Sequence, residues 1–328
     1  MTSASHSISS NPKQAGLLSL IFSFRNEEEV LPELIQQTKV VLQKMCEQGI
    51  IGKYELVFVN DDSSDHSTQV IAQQAQNQQN GKIVLVNMSR RFGVEESFLA
   101  GINVAQGDVM VLMYTDMQDP PEVIEQMLMS WQQGAEVVHS IRRKRIGEHP
   151  LKNLAAFFAY RLIGYFAEIK IPYDAGEFKL ISRNVAQHLL SFPEKEPYLR
   201  GLIPWIGFTQ AYVEYEMQPR RRGKSKVALF GKKAWTVFLS GIISFSDFPV
   251  YLILLTGVMG IVLFVILLVA SLWASPHHWI DPMVVGGVFL WGTLMSALGL
   301  IGLYVLKIYK NTRGRPQYII KEVVRFDG

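Results

Sequence analysis

Five short apolar runs punctuate the first half of the chain, each closed by polar residues. They are LLSLIFSF at 17–24, YELVFV at 54–59, KIVLVNM at 82–88, VMVLM at 109–113 and AEVVHSI at 135–141. Runs of this length between turn residues predict buried strands. Helical segments separate them: one from Asn26 to about Glu47, a Gln-rich one behind Asp65, and one after SRRFG. This alternation predicts an α/β fold, a Rossmann-like and mostly parallel sheet with helices on both faces, reached by right-handed crossovers.

After Arg145 the pattern loosens. Residues 151–169 read as an aromatic-rich helix, IPYDAGEFKLISR as a Pro/Gly turn, and 208–217 as a weakly alternating edge strand. Residues 227–248 mix Lys232, Lys233 and Trp235 with an apolar face, which suits helices lying in a membrane interface. Then come two long, almost uncharged runs, 250–273 and 283–306, each long enough to span a bilayer. The alternative is a buried hairpin of a soluble protein. The connection ASPHHWID carries no Lys or Arg, whereas Lys307, Lys310, Arg313, Arg315, Lys321 and Arg325 follow the second run. The positive-inside rule then predicts a multi-pass protein of the cell inner (plasma) membrane with both termini cytoplasmic. Trp273, Trp279 and Tyr304 suit the interfacial belts. The expected organisation is a disordered lead-in over 1–16, a cytosolic catalytic domain over 17–226, interfacial helices over 227–248, a transmembrane hairpin over 249–306 and a basic cytosolic tail over 307–328.

Composition adds little to this. The net charge of +3 over 328 residues conceals basic crowding at 142–145, at 220–226 and in the tail. A single cysteine, Cys46, excludes an internal disulfide and a Cys-rich zinc site, and reads as a buried structural thiol. The polar N-terminus lacks the apolar core of a secretory signal.

The candidate chemistry centres on VMVLMYTDMQDPPE at 109–122. Alternation along an extended chain puts Tyr114, Asp116 and Gln118 on one face. Asp119, Pro120 and Glu122 read as a capping box that starts a helix, and Asn26 and Asp65 read as further caps. Carboxylates also follow the other strands: Glu27 after the first, Asp61 and Asp62 after the second. Open α/β sheets bind ligands at the C-terminal ends of their strands, and acids placed there suit a nucleotide.

Six motifs in order carry a family resemblance. RNEEEVLPEL at 25–34 is similar to a "YNEE" turn, VNDDSSDHST at 59–68 to "VDDGSxDxT", and YTDMQDPPE at 114–122 to "DADLQDPPE". IRRKR at 141–145 matches a basic "RxxR" run, DAGEFKLISR at 174–183 matches "DAGDFRLxxR", and PRRRGKSK at 219–226 matches "PRxxGxSK". The chain resembles the family 2 GT-A glycosyltransferases. With its two spans and basic tail it resembles the polyprenyl-phosphate glycosyltransferases, which include the bactoprenol glucosyltransferases and dolichol-phosphate mannose synthase.

That resemblance implies a GT-A fold and inverting transfer of a sugar, glucose from UDP-glucose first, to polyprenyl (undecaprenyl) phosphate at the cytosolic membrane face. Mannose, GlcNAc or an aminoarabinose are alternative sugars, and a catalytically weak, membrane-tethered nucleotide-sugar-binding subunit is an alternative role. A processive polysaccharide synthase is the other rival, but no "QxxRW" motif is present. Implied partners are a nucleotide sugar, the lipid phosphate, the membrane and further copies in a homotetramer, with no nucleic acid. The implied cofactor is a divalent cation, Mg2+ or Mn2+, at Asp116 and Gln118.

By the same resemblance, Arg25, Glu27, Asp61, Ser63 and Asp116 hold the nucleotide sugar. Arg142, Arg145, Arg220, Ser225 and Lys226 hold the phosphates and the acceptor, with Gly223 letting backbone approach. Asp174 is the catalytic candidate, as base or as orienting group, with Asp116 and with Glu177 as neighbour. Two plainer readings stand beside these: a basic patch held by anionic lipids for RRRGKSK, and a turn capped by Asp174 for DAGEF. The chain departs from the pattern at Ser23 (usually Pro), Asp62 (usually Gly), Arg91, Val94 (usually Lys) and Tyr114 (usually Asp). A neutral phenol is a poor ligand for a hard cation. The last departure therefore predicts weaker metal binding, or a Tyr114 that packs against sugar or base.

Overall fold

Four buried strands run in one direction through the middle of an eight-stranded sheet. They are β1 (Ala15–Phe24), β2 (Ile51–Asn60), β3 (Gly81–Met88) and β4 (Val109–Tyr114). The computed structural model describes residues 15–76, 81–144, 175–218, 248–273 and 282–326. β1 pairs in parallel with β2 on one side and β4 on the other, with Phe24 opposite Asn60 and Ser23 opposite Tyr114. Strands covered on both faces read as near-continuous apolar runs, which is why these four were legible in the sequence.

The remaining strands are β5 (Val137–Lys144), β6 (Ala175–Ser182), β7 (Gln210–Glu216) and β8 (Ile320–Phe326), in the order β7-β5-β6-β4-β1-β2-β3-β8. β7 is an edge strand, as expected, and runs parallel to β5. β6 was not expected. The segment read as a turn is an inner strand, antiparallel to both β4 and β5. Its charges hid it: Phe178 and Leu180 enter the core, while Glu177 and Lys179 are buried with them. β8 is also new. The basic tail pairs antiparallel with β3, with the Ser89 N–H donating to the Ile319 carbonyl at 2.9 Å.

Helices lie on both faces. α1 (Leu31–Glu47), α2 (Ser67–Ala75) and α4 (Val123–Gln132) bring Leu34, Ile35, Ile71, Ile124 and Met127 into one core with Leu20, Phe22, Phe58 and Val111. α3 (Val94–Val104) packs on the other face, where a Cβ on Gly101 would lie 2.3 Å from Ile21 Cγ2 and 3.0 Å from Val59 Cγ2. Two shorter helices, α5 (Arg183–Ser191) and α6 (Leu199–Trp205), follow β6. Cys46 is partly buried at the core margin, and burial together with Glu47 pushes its thiol pKa up.

The three expected caps are corrected by the structure. α1 begins at Leu31 and α4 at Val123, so neither Asn26 nor Asp119 caps a helix, and Glu122 makes no capping hydrogen bond. His66 stands at the N-cap of α2, while the Asp65 carboxylate accepts from the Ser67 N–H at 3.1 Å and the Glu28 N–H at 3.2 Å.

A second compact unit holds α7 (Phe248–Trp273) and α8 (Pro282–Thr312), packed on one another. Pro249–Val269 and Met283–Thr312 are long and apolar enough to cross a membrane. Their apolar side chains, including Leu254, Met259, Val288 and Trp291, are largely exposed, unlike those of a soluble core helix. The expected aromatic helix (151–169), the interfacial helices (227–248) except Phe248, and the loop with Trp279 lie outside the described residues.

The close approach at Gly101 yields a stability prediction. Gly101→Ala should destabilise the sheet unit by about 1–3 kcal/mol through overpacking against Ile21 and Val59. A lowered Tm of the detergent-solubilised chain would show it; an unchanged or raised Tm would contradict the packing.

Candidate active site

Parallel pairing brings the C-terminal tips of β1, β2, β3 and β4 to one sheet edge. The turns that leave these tips carry the unusual backbone. Among the described non-glycine residues, positive φ occurs at Asn26 (53°), Asp62 (60°) and Met117 (56°), just past β1, β2 and β4. Such conformations persist where the surroundings over-determine them, and they concentrate at functional sites. They also explain Asp62: glycine suits a left-handed position, and Asp tolerates it better than most side chains.

A polar lattice holds the first two turns together. The Asn26 N–H donates to Ser63 Oγ at 3.0 Å, and its side chain pairs with Ser64, whose N–H donates to Asn26 Oδ1 at 2.8 Å. The Ser63 N–H donates to Asn60 Oδ1 at 2.9 Å, and the Glu27 N–H to Ser67 Oγ at 2.9 Å. Asp61 is buried, and its Oδ1 accepts from the N–H groups of Phe92 (2.7 Å) and Gly93 (3.3 Å). Asp61 and Ser63 therefore shape the edge from within, and the half-buried Arg25 and Glu27 lie on the adjoining turn.

Exposure alternates along the β4 tip. Tyr114, Asp116 and Gln118 are half-buried, while Thr115, Met117 and Asp119 are buried. The Asp116 carboxylate accepts the Gln118 N–H at 3.2 Å. The Tyr114 ring packs 5.7 Å from Phe98, and burial, reinforced by Glu177, pushes its phenol pKa far up, so it stays neutral. Among the described residues no three His, Cys, Asp or Glu side chains gather to hold a metal. One carboxylate and one amide on a shared, partly open face still fit a cation whose remaining ligands are diphosphate oxygens, the usual arrangement for Mg2+.

Behind that face lies a buried constellation. Asp119 is 1 % exposed and accepts a hydrogen bond from the Tyr215 hydroxyl. Arg142 Nε donates to the same hydroxyl at 3.1 Å, and Arg142 Nη2 lies 3.6 Å from Asp119 Oδ1. The guanidinium rests on Gly176, where a Cβ would meet Arg142 Nη2 at 2.9 Å. Burial raises the Asp119 pKa against the pull of Arg142 and Tyr215. Burial lowers that of Arg142, but Asp119 and Tyr215 more than offset it, so the guanidinium stays charged.

Glu177, which the resemblance placed beside the catalytic Asp174, has a different setting. It is 1 % exposed and ion-paired to Arg200 of α6. Burial pushes its pKa up, but Arg200 and Lys179 overcome this and hold the carboxyl below its usual range. It is a buried counter-ion of Arg200. Glu95 of α3 accepts from the Leu199 N–H at 3.2 Å, and burial together with Glu177 raises its pKa well above the usual.

Arg145, Asp174, Arg220, Ser225 and Lys226 lie outside the described residues. Asp174 directly precedes β6, whose start lies opposite Ile141 of β5. Gln218, the last described residue before the basic run, donates its N–H to the Gln118 carbonyl at 3.0 Å. Sequence reasoning missed Tyr215, Arg200, Lys179 and the inward role of Asp119. The one readable signal was alternation: Val213, Tyr215 and Met217 are buried at a spacing of two.

Glu96 supplies a pH prediction. It reaches back over Gly93, and burial, with help from Asp61, raises its pKa to about 7. The folded chain therefore holds this proton between about 4.5 and 7, where the unfolded chain releases it. The charged form costs stability above pH 7, and the cost vanishes as pH falls to the unfolded value. Glu96→Gln should raise Tm at pH 8 and leave it near the wild-type value at pH 4.5; an equal shift at both pH values would refute this.

Residues 19–190 match the family described as Glycosyl transferase family 2. The uncharacterized glycosyltransferase YkcC of Bacillus subtilis (strain 168) is 35 % identical over 309 residues, with 93 % of each chain covered. A prophage bactoprenol glucosyl transferase homolog of Escherichia coli (strain K12) is 32 % identical over 311 residues, covering 93 % of this chain and 99 % of that one. Among solved structures, the mannosyltransferase PcManGT from Pyrobaculum calidifontis, in complex with GDP-Man and Mn2+, has 13 % identity, a TM-score of 0.47, and covers 91 % of this chain and 78 % of that one. With a family match over half its length and relatives above 30 % identity over nearly all of it, the chain belongs to glycosyl transferase family 2 and is a glycosyltransferase.

Proposed function

We propose that the protein moves a sugar, glucose from UDP-glucose in the first instance, onto the phosphate of a membrane polyprenyl lipid, with inversion at the anomeric carbon. One observation carries the reading. The half-open Asp116–Gln118 face and the Arg142 guanidinium are joined through the buried Asp119 at a single sheet edge. A carboxylate face beside a fixed cation suits a reaction between two phosphate-bearing substrates. The lipid acceptor is supported by the bactoprenol glucosyl transferase homolog matched over nearly its whole length, and by two helices apolar enough to cross a membrane.

An acceptor phosphate oxygen forms the new bond to C1. The bond from C1 to the diphosphate oxygen breaks, and the nucleoside diphosphate leaves with the electron pair. A phosphate monoester is already largely ionised near neutral pH, so proton removal contributes little and orientation much. On this reading Asp174 orients the acceptor. Arg142, with Arg145, Arg220, Ser225 and Lys226, offsets the charge of the two phosphate groups. Asp116 and Gln118 would hold a divalent cation, which supplies charge compensation for the departing diphosphate.

Covalent order and charge support one membrane sidedness. The chain passes through α7 and α8 and then returns β8 to the sheet beside β3. With each helix crossing once, both ends of the hairpin lie on one side of the membrane. The Lys and Arg residues after α8 favour the cytosol for that side.

A second reading, a nucleotide-sugar-binding subunit with weak turnover, draws on the half-buried and neutral Tyr114. Radiolabelled nucleotide sugars offered with undecaprenyl phosphate in detergent separate the two. A lipid-linked monosaccharide is expected, and no product with any common donor would favour the subunit. Asp116→Ala should lower kcat by about 100-fold or more; near-wild-type turnover would remove Asp116 from the site. Tyr114→Asp should lower the Mn2+ concentration needed for half-maximal activity, and an unchanged titration would count against the cation placement.

A further inference from the structure

We infer that Asp119 is a positioning residue: with Tyr215 it fixes the Arg142 guanidinium over the start of β6, so that the phosphate-facing cation is set before substrate arrives. The local pattern made Asp119 a helix cap, but its side chain makes no such bond and turns inward instead. Its partners come from two other strands, Arg142 from β5 and Tyr215 from β7. The three groups form a closed triangle. Tyr215 donates to Asp119, Arg142 Nε donates to Tyr215, and Arg142 Nη2 faces Asp119 Oδ1 at 3.6 Å.

Two neighbours pack against the triangle. The Tyr215 ring meets Phe178 edge-on at 5.7 Å, and the guanidinium lies against Gly176, where any larger residue would collide with it. Only about a fifth of the Arg142 side chain is exposed. A guanidinium presents five N–H donors in a rigid fork. Nε and one edge are engaged by Tyr215 and Asp119, which leaves the opposite edge for an incoming anion. A flexible arginine would lose rotamer freedom on binding; one already held by two buried partners loses little. The backbone bond from Gln218 to Gln118 closes the same corner beside Asp119.

This inference rests on the transfer reading for its kinetic consequence but not for its geometry, so the test has two arms. In the first, the full-length detergent-solubilised chain is treated with phenylglyoxal, and modification of Arg142 is followed by peptide mass spectrometry. Asp119→Asn and Tyr215→Phe should each raise the rate at Arg142 at least fivefold while Arg90 and Arg313 react as before. Equal rates at Arg142 in wild type and in both variants would overturn the inference. A thermal melt identifies any variant that has unfolded, and the milder Tyr215→Phe then decides the matter.

The second arm is a double-mutant cycle on sugar transfer. Asp119→Asn and Arg142→Ala should each lower kcat/KM, chiefly through the KM for the lipid, and the double variant should be no worse than Arg142→Ala alone. Multiplicative losses would mean that Asp119 acts independently of Arg142, and would also overturn the inference. If the wild-type chain transfers no sugar to lipid, the transfer reading fails by itself, and the labelling result still judges the triangle.

Discussion

Parallel in-register pairing of β4, β1, β2 and β3 is the constraint on which this molecule depends. It fixes where four chain turns emerge, and it fixes them together. A slip of one residue in any of these ladders would exchange the two faces of a strand and carry its core side chains toward the opposite helix layer. Burial on both faces makes such a slip costly, so the edge is held by the whole core rather than by its own contacts. The turns at that edge can then adopt left-handed backbone at Asn26, Asp62 and Met117. The lattice of Asn26, Ser63, Ser64 and Asn60 uses side chains to satisfy backbone groups that such turns leave open.

The other half of the sheet is organised by buried charge. β6 runs between β4 and β5 with ionic groups beside both of its faces: Glu177 and Lys179 on one, and the guanidinium of Arg142 over Gly176 on the other. Charged groups in such places are expensive to desolvate, and their mutual attraction seldom yields a large net stabilisation. What they impose is geometry. Glu177 is held against Arg200, and Arg142 against Asp119 and Tyr215, because any other arrangement leaves a charge without a partner. His139, stacked 5.5 Å from Tyr212 and with its pKa lowered to about 4 by burial and by Lys179, stays neutral in the same wall. This half of the sheet trades apolar packing for directional bonds, and it is the half that carries Arg142.

Legibility in the sequence followed hydrophobic periodicity closely. β1 to β4 were readable because both faces are covered and the runs are apolar throughout; β5 and β7 were readable from composition and alternation. The two membrane-length helices needed only length and the absence of charge. β6 was hidden because Glu177 and Lys179 look like loop residues until Arg200 is seen to pair with Glu177 and Glu177 to offset Lys179. β8 was hidden because a basic strand at a sheet edge resembles a basic tail. The caps failed for a related reason. Asp119 before Pro120 satisfies every local rule for a helix start, but its partner Tyr215 lies 96 residues on, and a buried hydroxyl outweighs a capping bond that water can replace.

The segment YTDMQD shows how closely the two halves are joined. Its odd and even positions serve different structures: 114, 116 and 118 are half-open, while 115, 117 and 119 are buried. A change at Tyr114 therefore acts first on the open face and on its packing with Phe98, whereas Asp119 bonds Tyr215 from the buried side. The same parity explains why a stretch so rich in polar residues can close a buried strand: Asp119 finds Tyr215 and Arg142 inside the protein, and the residues at 114, 116 and 118 keep access to solvent. A departure from the family pattern at 114 thus alters one side of a two-sided element. The hydrogen bond that aims Arg142 is made from the other side.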